Sequence, residues 1–234
     1  MRKGLLFVIS GPSGAGKGTV CRELLSKVDV DMSVSMTTRE PRPGEVEGVN
    51  YYFVTPEKFL KVVDNDGFLE YAGVYGNHYG TPKEAVLRKL ESGRDVILEI
   101  DIQGAMKIKE NYPKGVFIFI LPPSMSELRK RITGRDSETE SDIMLRLGES
   151  LKEISYIDKY DYVVVNGEVD EAVSRISAII KAEHSKVTED IYQLIEEYKK
   201  EIAKKKRGQA EVTAMLEECN EKISAVCKKE TADL

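Results

Sequence analysis

Leu5-Leu-Phe-Val-Ile-Ser10-Gly11-Pro-Ser-Gly-Ala-Gly-Lys17-Gly-Thr19 is the stretch whose reading decides the fold. A short apolar run of strand length passes into a glycine-rich loop, and the helical pattern over 17–28 begins at the lysine. Strand, loop and helix in that order are the context in which such a loop cradles phosphate. Glycines let backbone N–H groups turn inward, and the helix N-terminus adds partial positive charge. A lysine supplies a mobile cation for the terminal phosphates. Gly11, Pro12, Ser13, Gly14, Ala15, Gly16, Lys17, Gly18 and Thr19 are therefore the expected ATP-binding loop, with a plain glycine-rich turn as the bland alternative. The Ser or Thr that usually follows the lysine is replaced by Gly18, and Thr19 comes one residue late. A magnesium ion is then expected to rest mainly on nucleotide phosphates and water. Asp101, which closes a second apolar run, is the metal candidate, acting through water.

Outward from the loop, 95–101, 116–121 and 160–165 repeat the pattern of strands buried on both faces. Helical stretches over 81–91, 103–111 and 124–133 lie between them. Ser124 with Glu127, and Thr81 with Glu84 behind Pro82, read as helix starts. Strands alternating with helices predict an α/β fold in three layers around a parallel sheet. The segment 33–80 breaks the rhythm with Tyr, Thr, Gly and Pro, and is expected to be a small, largely β insertion. The polar, arginine-bearing 134–147 reads as a mobile flap outside the core.

Bulk properties narrow the function classes. The 234 residues are 41% hydrophobic and 32% charged, with no tryptophan, as in ordinary globular proteins. A net charge of −5 gives no global attraction to nucleic acid or anionic membrane. Arg2 and Lys3 ahead of an apolar run imitate a signal peptide, but the run is too short and leads into the phosphate loop. No run reaches the roughly 18 apolar residues of a membrane span. Cys21, Cys219 and Cys227 form neither a metal-ligand cluster nor a disulfide framework, which fits a reducing, cytoplasmic setting.

The acceptor is written further on, in Ser35-Met-Thr-Thr-Arg39-Glu-Pro-Arg42 and the following run to Tyr51. Two arginines three apart and a tyrosine can converge on one phosphate if the chain bends at Pro41 and Pro43. The arginine fork binds phosphate oxygens in pairs. With Phe68-Leu-Glu70-Tyr, Gly76-Asn-His-Tyr79-Gly-Thr81, Leu98-Glu-Ile-Asp101-Ile-Gln-Gly104 and Arg131-Ile-Thr-Gly-Arg135, the chain resembles the guanylate kinase family from Lys3 to about Ala182. The resemblance implies that Arg39, Arg42, Tyr51 and Tyr79 hold the phosphate of GMP. It implies that Ser35, Glu70, Thr81 and Glu99 read guanine, with Asp101 and Arg146 bordering the same nucleotide. Guanine offers N1–H and an amine as adjacent donors, which a carboxylate accepts and which adenine lacks. Arg131, Arg135 and Arg146 fall where the family's ATP lid carries arginines, and Asn166, at the end of the last strand, is expected to border the adenine.

The implied reaction is in-line transfer of the ATP γ-phosphoryl group to GMP, and to dGMP beside it, with Lys17, Arg39, Arg135, Arg146 and Mg²⁺ compensating charge. The implied organisation is a P-loop core (1–34, 82–125, 158–182), a GMP-binding subdomain (35–81), an ATP lid (126–157) and a helical extension (183–234). Two rivals stand beside this reading. One is a catalytically inactive module of the same fold that binds proteins, and the other is a kinase for another nucleoside monophosphate.

In the extension, Ile191, Ile195, Tyr198 and Ile202, then Val212, Leu216, Cys219, Ile223 and Val226, follow heptad spacing, broken at Lys205 and Gln209. A coiled-coil homodimer, a helical hairpin turning near Gly208 and a solvated helix all satisfy that pattern.

Overall fold

The computed structural model describes residues 3–74, 76–133, 140–187, 189–204 and 215–222. In chain order it holds β1 (Leu6–Ser10), α1 (Lys17–Lys27), β2 (Asp31–Met32), β3 (Met36–Thr37), β4 (Tyr52–Phe53), α2 (Pro56–Asp64), β5 (Phe68–Val74) and β6 (Asn77–Pro82). Then come α3 (Lys83–Glu91), β7 (Val96–Glu99), α4 (Ile102–Asn111), β8 (Val116–Leu121), α5 (Met125–Ile132), α6 (Glu140–Ile154), β9 (Tyr162–Val165), α7 (Val169–His184) and α8 (Glu189–Lys204). The chain divides into two compact units, Met1–His184 and Ser185–Leu234.

β1 is apolar without alternation because both of its faces are covered. Phe7 and Ile9 pack with Val20, Cys21 and Leu24 of α1 and with Val173, Ile176 and Ile180 of α7. Leu6 and Val8 pack on the opposite face with Val86 and Leu90 of α3 and with Ala105 and Ile108 of α4. Burying each such side chain contributes about 1.5–3 kcal/mol, enough to fix the strand at the centre. The five-stranded sheet runs β2-β7-β1-β8-β9, and every pairing in it is parallel. Residues after the strand ends, the phosphate loop among them, therefore gather along one sheet edge, where open α/β sheets bind ligands.

A second sheet, in the order β4-β3-β6-β5, is mixed. β5 and β6 form an antiparallel pair that sets Glu70 opposite Thr81 across an irregularity in register. The expected β insertion also carries a helix. α2 starts at a Thr55 N-cap that accepts from Lys58 N–H, has proline in its first turn, and buries Phe59 in a stack with Phe68 at 4.6 Å. The Thr-Pro start signal was in the sequence, but the surrounding aromatic and glycine content masked it.

Three further local readings are corrected. Thr81 does not cap α3. It lies in β6, its hydroxyl donates to Glu70, and α3 begins at Lys83 with no side-chain cap. Pro82 holds the N-cap position of α3, and Thr81, one residue earlier in β6, is placed opposite Glu70, to which its hydroxyl proton goes. β7 ends at Glu99, so Asp101 lies past the strand as the N-cap of α4, accepting from Gly104 N–H at 2.7 Å. β2 is too short to be seen as a period, and it pairs in the main sheet beside β7. The Ser124 start holds: its Oγ accepts from Glu127 N–H at 3.1 Å. The flap is not wholly outside the core, since Ile143 of α6 is buried.

One carboxylate ties the end of α7 to the sheet. Asp95 accepts from Leu5 N–H at 2.8 Å and pairs with His184 Nε2 at 2.5 Å. In the second unit, Lys199 Nζ donates to Asn220 Oδ1 at 2.5 Å, which sets α8 beside the helical stretch over 215–222. Val212, Ile223 and Val226 lie outside the described residues. Among the described residues no helix is long and apolar enough to cross a membrane.

Candidate active site

The loop between β1 and α1 takes the conformation its glycines allow. Gly16, the N-cap of α1, has φ +89, and a Cβ there would stand 2.4 Å from Asn166 Nδ2. Gly11 runs so close to β8 that a Cβ would meet Ile120 O at 2.2 Å. The far side of the loop is held by residues distant in sequence. Asn166 Nδ2 donates to Ala15 O at 2.8 Å, and Arg131 donates to Asn166 O at 3.1 Å and to Ala15 O at 3.5 Å. Glu127 orients Arg131 through Nε at 3.1 Å. Arg131 and Asn166 thus stand against the loop as its supports, a role the sequence did not reveal, because neither spacing nor periodicity records that the ends of α5 and β9 meet there. Asn166 Oδ1 is buried without a hydrogen-bond partner.

Lys17 Nζ folds back on the loop, donating to Gly11 O at 2.6 Å and Pro12 O at 3.1 Å. Burial lowers its pKa, while Glu99, Glu153 and Asp101 act in the opposite direction. The space at Gly18 is taken up by Glu99: a Cβ there would lie 3.3 Å from Glu99 Oε1. The carboxylate therefore occupies the neighbourhood where a hydroxyl after the lysine would project. Desolvation in the cleft raises the Glu99 pKa, and Lys17 and Arg22 lower it. Burial, and after it Tyr79 and Glu99, push the Tyr51 pKa up.

On the other side, Arg39, Tyr51 and Tyr79 come together. Tyr51 and Tyr79 meet edge to face at 5.9 Å, and the Arg39 guanidinium lies 5.6 Å from the Tyr51 ring centre. Arg39 is neutralised by Glu45, donating to both its oxygens at 2.9 and 3.0 Å. Glu45 also accepts from Arg42 N–H at 2.7 Å, which fixes the bend. The guanidinium holds the Glu45 carboxyl below the usual range. Glu45 was not foreseen. Its position two residues past Pro43 was the available signal, and only the fold shows which arginine it meets.

Glu70 and Thr81 are buried together, with Thr81 Oγ1 donating to Glu70 Oε1 at 2.8 Å. Desolvation raises the Glu70 pKa, and the Thr81 hydrogen bond partly offsets it. Gly104 lets α4 approach this pair, since a Cβ there would fall 3.0 Å from Glu70 Oε2 and 3.2 Å from Asp101 Oδ1. Ser35 lies just before β3, its carbonyl accepting from Tyr52 N–H. Arg146 sits half-buried on α6, and Arg135 lies outside the described residues. Among the described residues no group of three His, Cys, Asp or Glu side chains could hold a metal ion by itself. Glu99 and Asp101 fit a hydrated divalent cation that is shared with phosphates, not an all-protein cage.

A glycine-rich loop with its lysine, an arginine–tyrosine cluster, and a buried carboxylate paired with a hydroxyl are the three constellations of the candidate site. A protein-family model described as guanylate kinase matches residues 3–183. A guanylate kinase of Clostridium acetobutylicum is 60% identical over 186 residues, covering 80% of this chain and 89% of that protein. One of Clostridioides difficile is 52% identical over 203 residues, covering 86% and 99%. The crystal structure of guanylate kinase from Anaplasma phagocytophilum superposes with a TM-score of 0.67 at 41% identity, covering 80% of this chain and 89% of that one.

Proposed function

The chain belongs to the guanylate kinase family, and on that premise we propose that it transfers the γ-phosphoryl group of ATP to GMP, giving ADP and GDP, with dGMP as a further acceptor. The observation that carries the reading is the buried Glu70–Thr81 pair, against which the backbone of Gly104 closes. Its carboxylate accepts the N1–H and amine of guanine, and in a desolvated site those bonds are strong. Adenine would leave the carboxylate facing an acceptor, which rejects it. Ser35 donates to guanine O6.

The loop over 11–19 binds the triphosphate, and Lys17 leaves its carbonyls for the β- and γ-phosphates. Asn166, whose amide oxygen lacks a protein partner, borders the adenine. Arg39, Arg42, Tyr51 and Tyr79 take the GMP phosphate, with Glu45 ceding Arg39 as the dianion arrives. Magnesium, when bound, supplies charge neutralisation at the phosphates, with Asp101 and Glu99 holding its water shell. Arg146 and Arg135 of the lid segment compensate the transferring group, and lid closure excludes water. No side chain is needed as general base, because a GMP phosphate oxygen is already anionic. Segments 35–81 and 126–157 act as the acceptor subdomain and the lid on a P-loop core, and the enzyme works in the cytoplasm.

Coupled measurement of ADP formation with GMP, dGMP, AMP and UMP tests the assignment. Turnover with GMP far above AMP and UMP is expected. Preference for AMP or UMP overturns it, and silence with all four favours the inactive module.

A further inference from the structure

One contact in the cleft is used by none of these steps. The backbone N–H of Ser13, in the phosphate loop, donates to Glu153 Oε2 at 3.4 Å from near the end of α6. We infer that Glu153 is the gate of the donor site: its carboxylate holds a loop amide until an incoming triphosphate expels it. The inference rests on the reading of 11–19 as the ATP phosphate loop.

Two observations carry it. First, loop amides beside a lysine select an anionic oxygen, and a carboxylate is the protein's own substitute for one. Second, the charges around Glu153 are mixed. Lys17 attracts it, whereas Asp101 and Glu149 repel it, and desolvation already disfavours its charged form. A triphosphate placed on the same loop adds several like charges, against which a single bond of 3.4 Å is weak. Donor binding is then an exchange of a carboxylate for a polyphosphate at the Ser13 amide.

Calorimetric titration of the full chain with a non-hydrolysable ATP analogue and, separately, with GMP tests this. Glu153→Gln keeps the shape and removes the charge. It is expected to bind the analogue about ten-fold tighter, the order of one like-charge repulsion in a cleft, with GMP affinity unchanged. Glu153→Asp, one methylene shorter, is expected to fall between. In the wild type, the Ser13 amide resonance is expected to move on adding the analogue, and in Glu153→Gln to be displaced already without it. Equal or weaker analogue binding by a folded Glu153→Gln protein overturns the gate and leaves the donor site standing. Absence of analogue binding by the wild type overturns the donor-site reading and the gate with it.

Discussion

Replacing Glu70 by Gln separates the site's chemistry from its stability. Glu70 is only 7% exposed, so its interactions are made without competing water. Gln retains an oxygen that can accept from Thr81 Oγ1, now 2.8 Å away, and the side-chain volume is kept. What changes is the face offered to guanine: one acceptor becomes a donor, and the negative charge is lost. Each hydrogen bond to a charged group is worth about 1.5–3 kcal/mol, so weakening one and turning the other into a donor–donor conflict costs roughly 3–4 kcal/mol. At about 1.4 kcal/mol per decade, kcat/KM for GMP should fall roughly 10²- to 10³-fold, with ATP binding unchanged. Stability should move the other way. Desolvation holds the folded-state pKa of Glu70 above the ordinary 4.5, so ionising it destabilises the native state. That cost is absent below the unfolded pKa, grows as pH rises through the window up to the folded pKa, and is then constant. Thermal melting of Glu70→Gln at neutral pH should therefore match or exceed the wild type, and the difference should shrink as pH falls toward 4.5. Steady-state kinetics with GMP and a melting series in pH are the assays. A kcat/KM for GMP within about threefold of wild type would refute the argument that this carboxylate reads guanine.

Other perturbations isolate other parts. Gly16→Ala forces an L side chain to φ +89 and a Cβ to within 2.4 Å of Asn166 Nδ2, so a loss of about 2–3 kcal/mol in denaturant unfolding is expected, with ATP affinity falling alongside. Arg39→Ala should cost on the order of 1 kcal/mol in stability, because it removes a half-buried ion pair while Glu45 keeps the Arg42 N–H. Its kcat/KM for GMP should fall on the order of 10²-fold or more, and near-normal turnover would remove Arg39 from the mechanism. A chain ending after Lys186 keeps α7 and the Asp95–His184 pair. It should retain activity and melting behaviour, and its sedimentation compared with that of the full chain shows whether the extension associates.

Family, layer order and phosphate loop were legible in the sequence because each depends on neighbours in the chain. Buried parallel strands are apolar throughout, helices repeat near every third or fourth residue, and the loop's glycines are dictated by local backbone geometry. Arg39 with Tyr51, and Glu70 with Thr81, were also within reach, since the motifs lie in one insertion. What the sequence did not hold was competition between distant groups. Thr81 could cap a helix or serve Glu70, and only the register of β5 on β6 places it opposite the carboxylate and off the cap position. Asp101 could have ended a strand facing a metal, yet α4 takes one of its oxygens as a cap. Arg131 and Asn166 brace the loop from outside, Glu45 neutralises Arg39, and Glu153 reaches the Ser13 amide, because folding places side chains with no sequence relation within a few ångströms. Local rules wrote the elements and the phosphate loop. Tertiary packing assigned each polar side chain its partner, since a hydrogen bond is awarded by distance and desolvation in three dimensions and leaves no period in the chain.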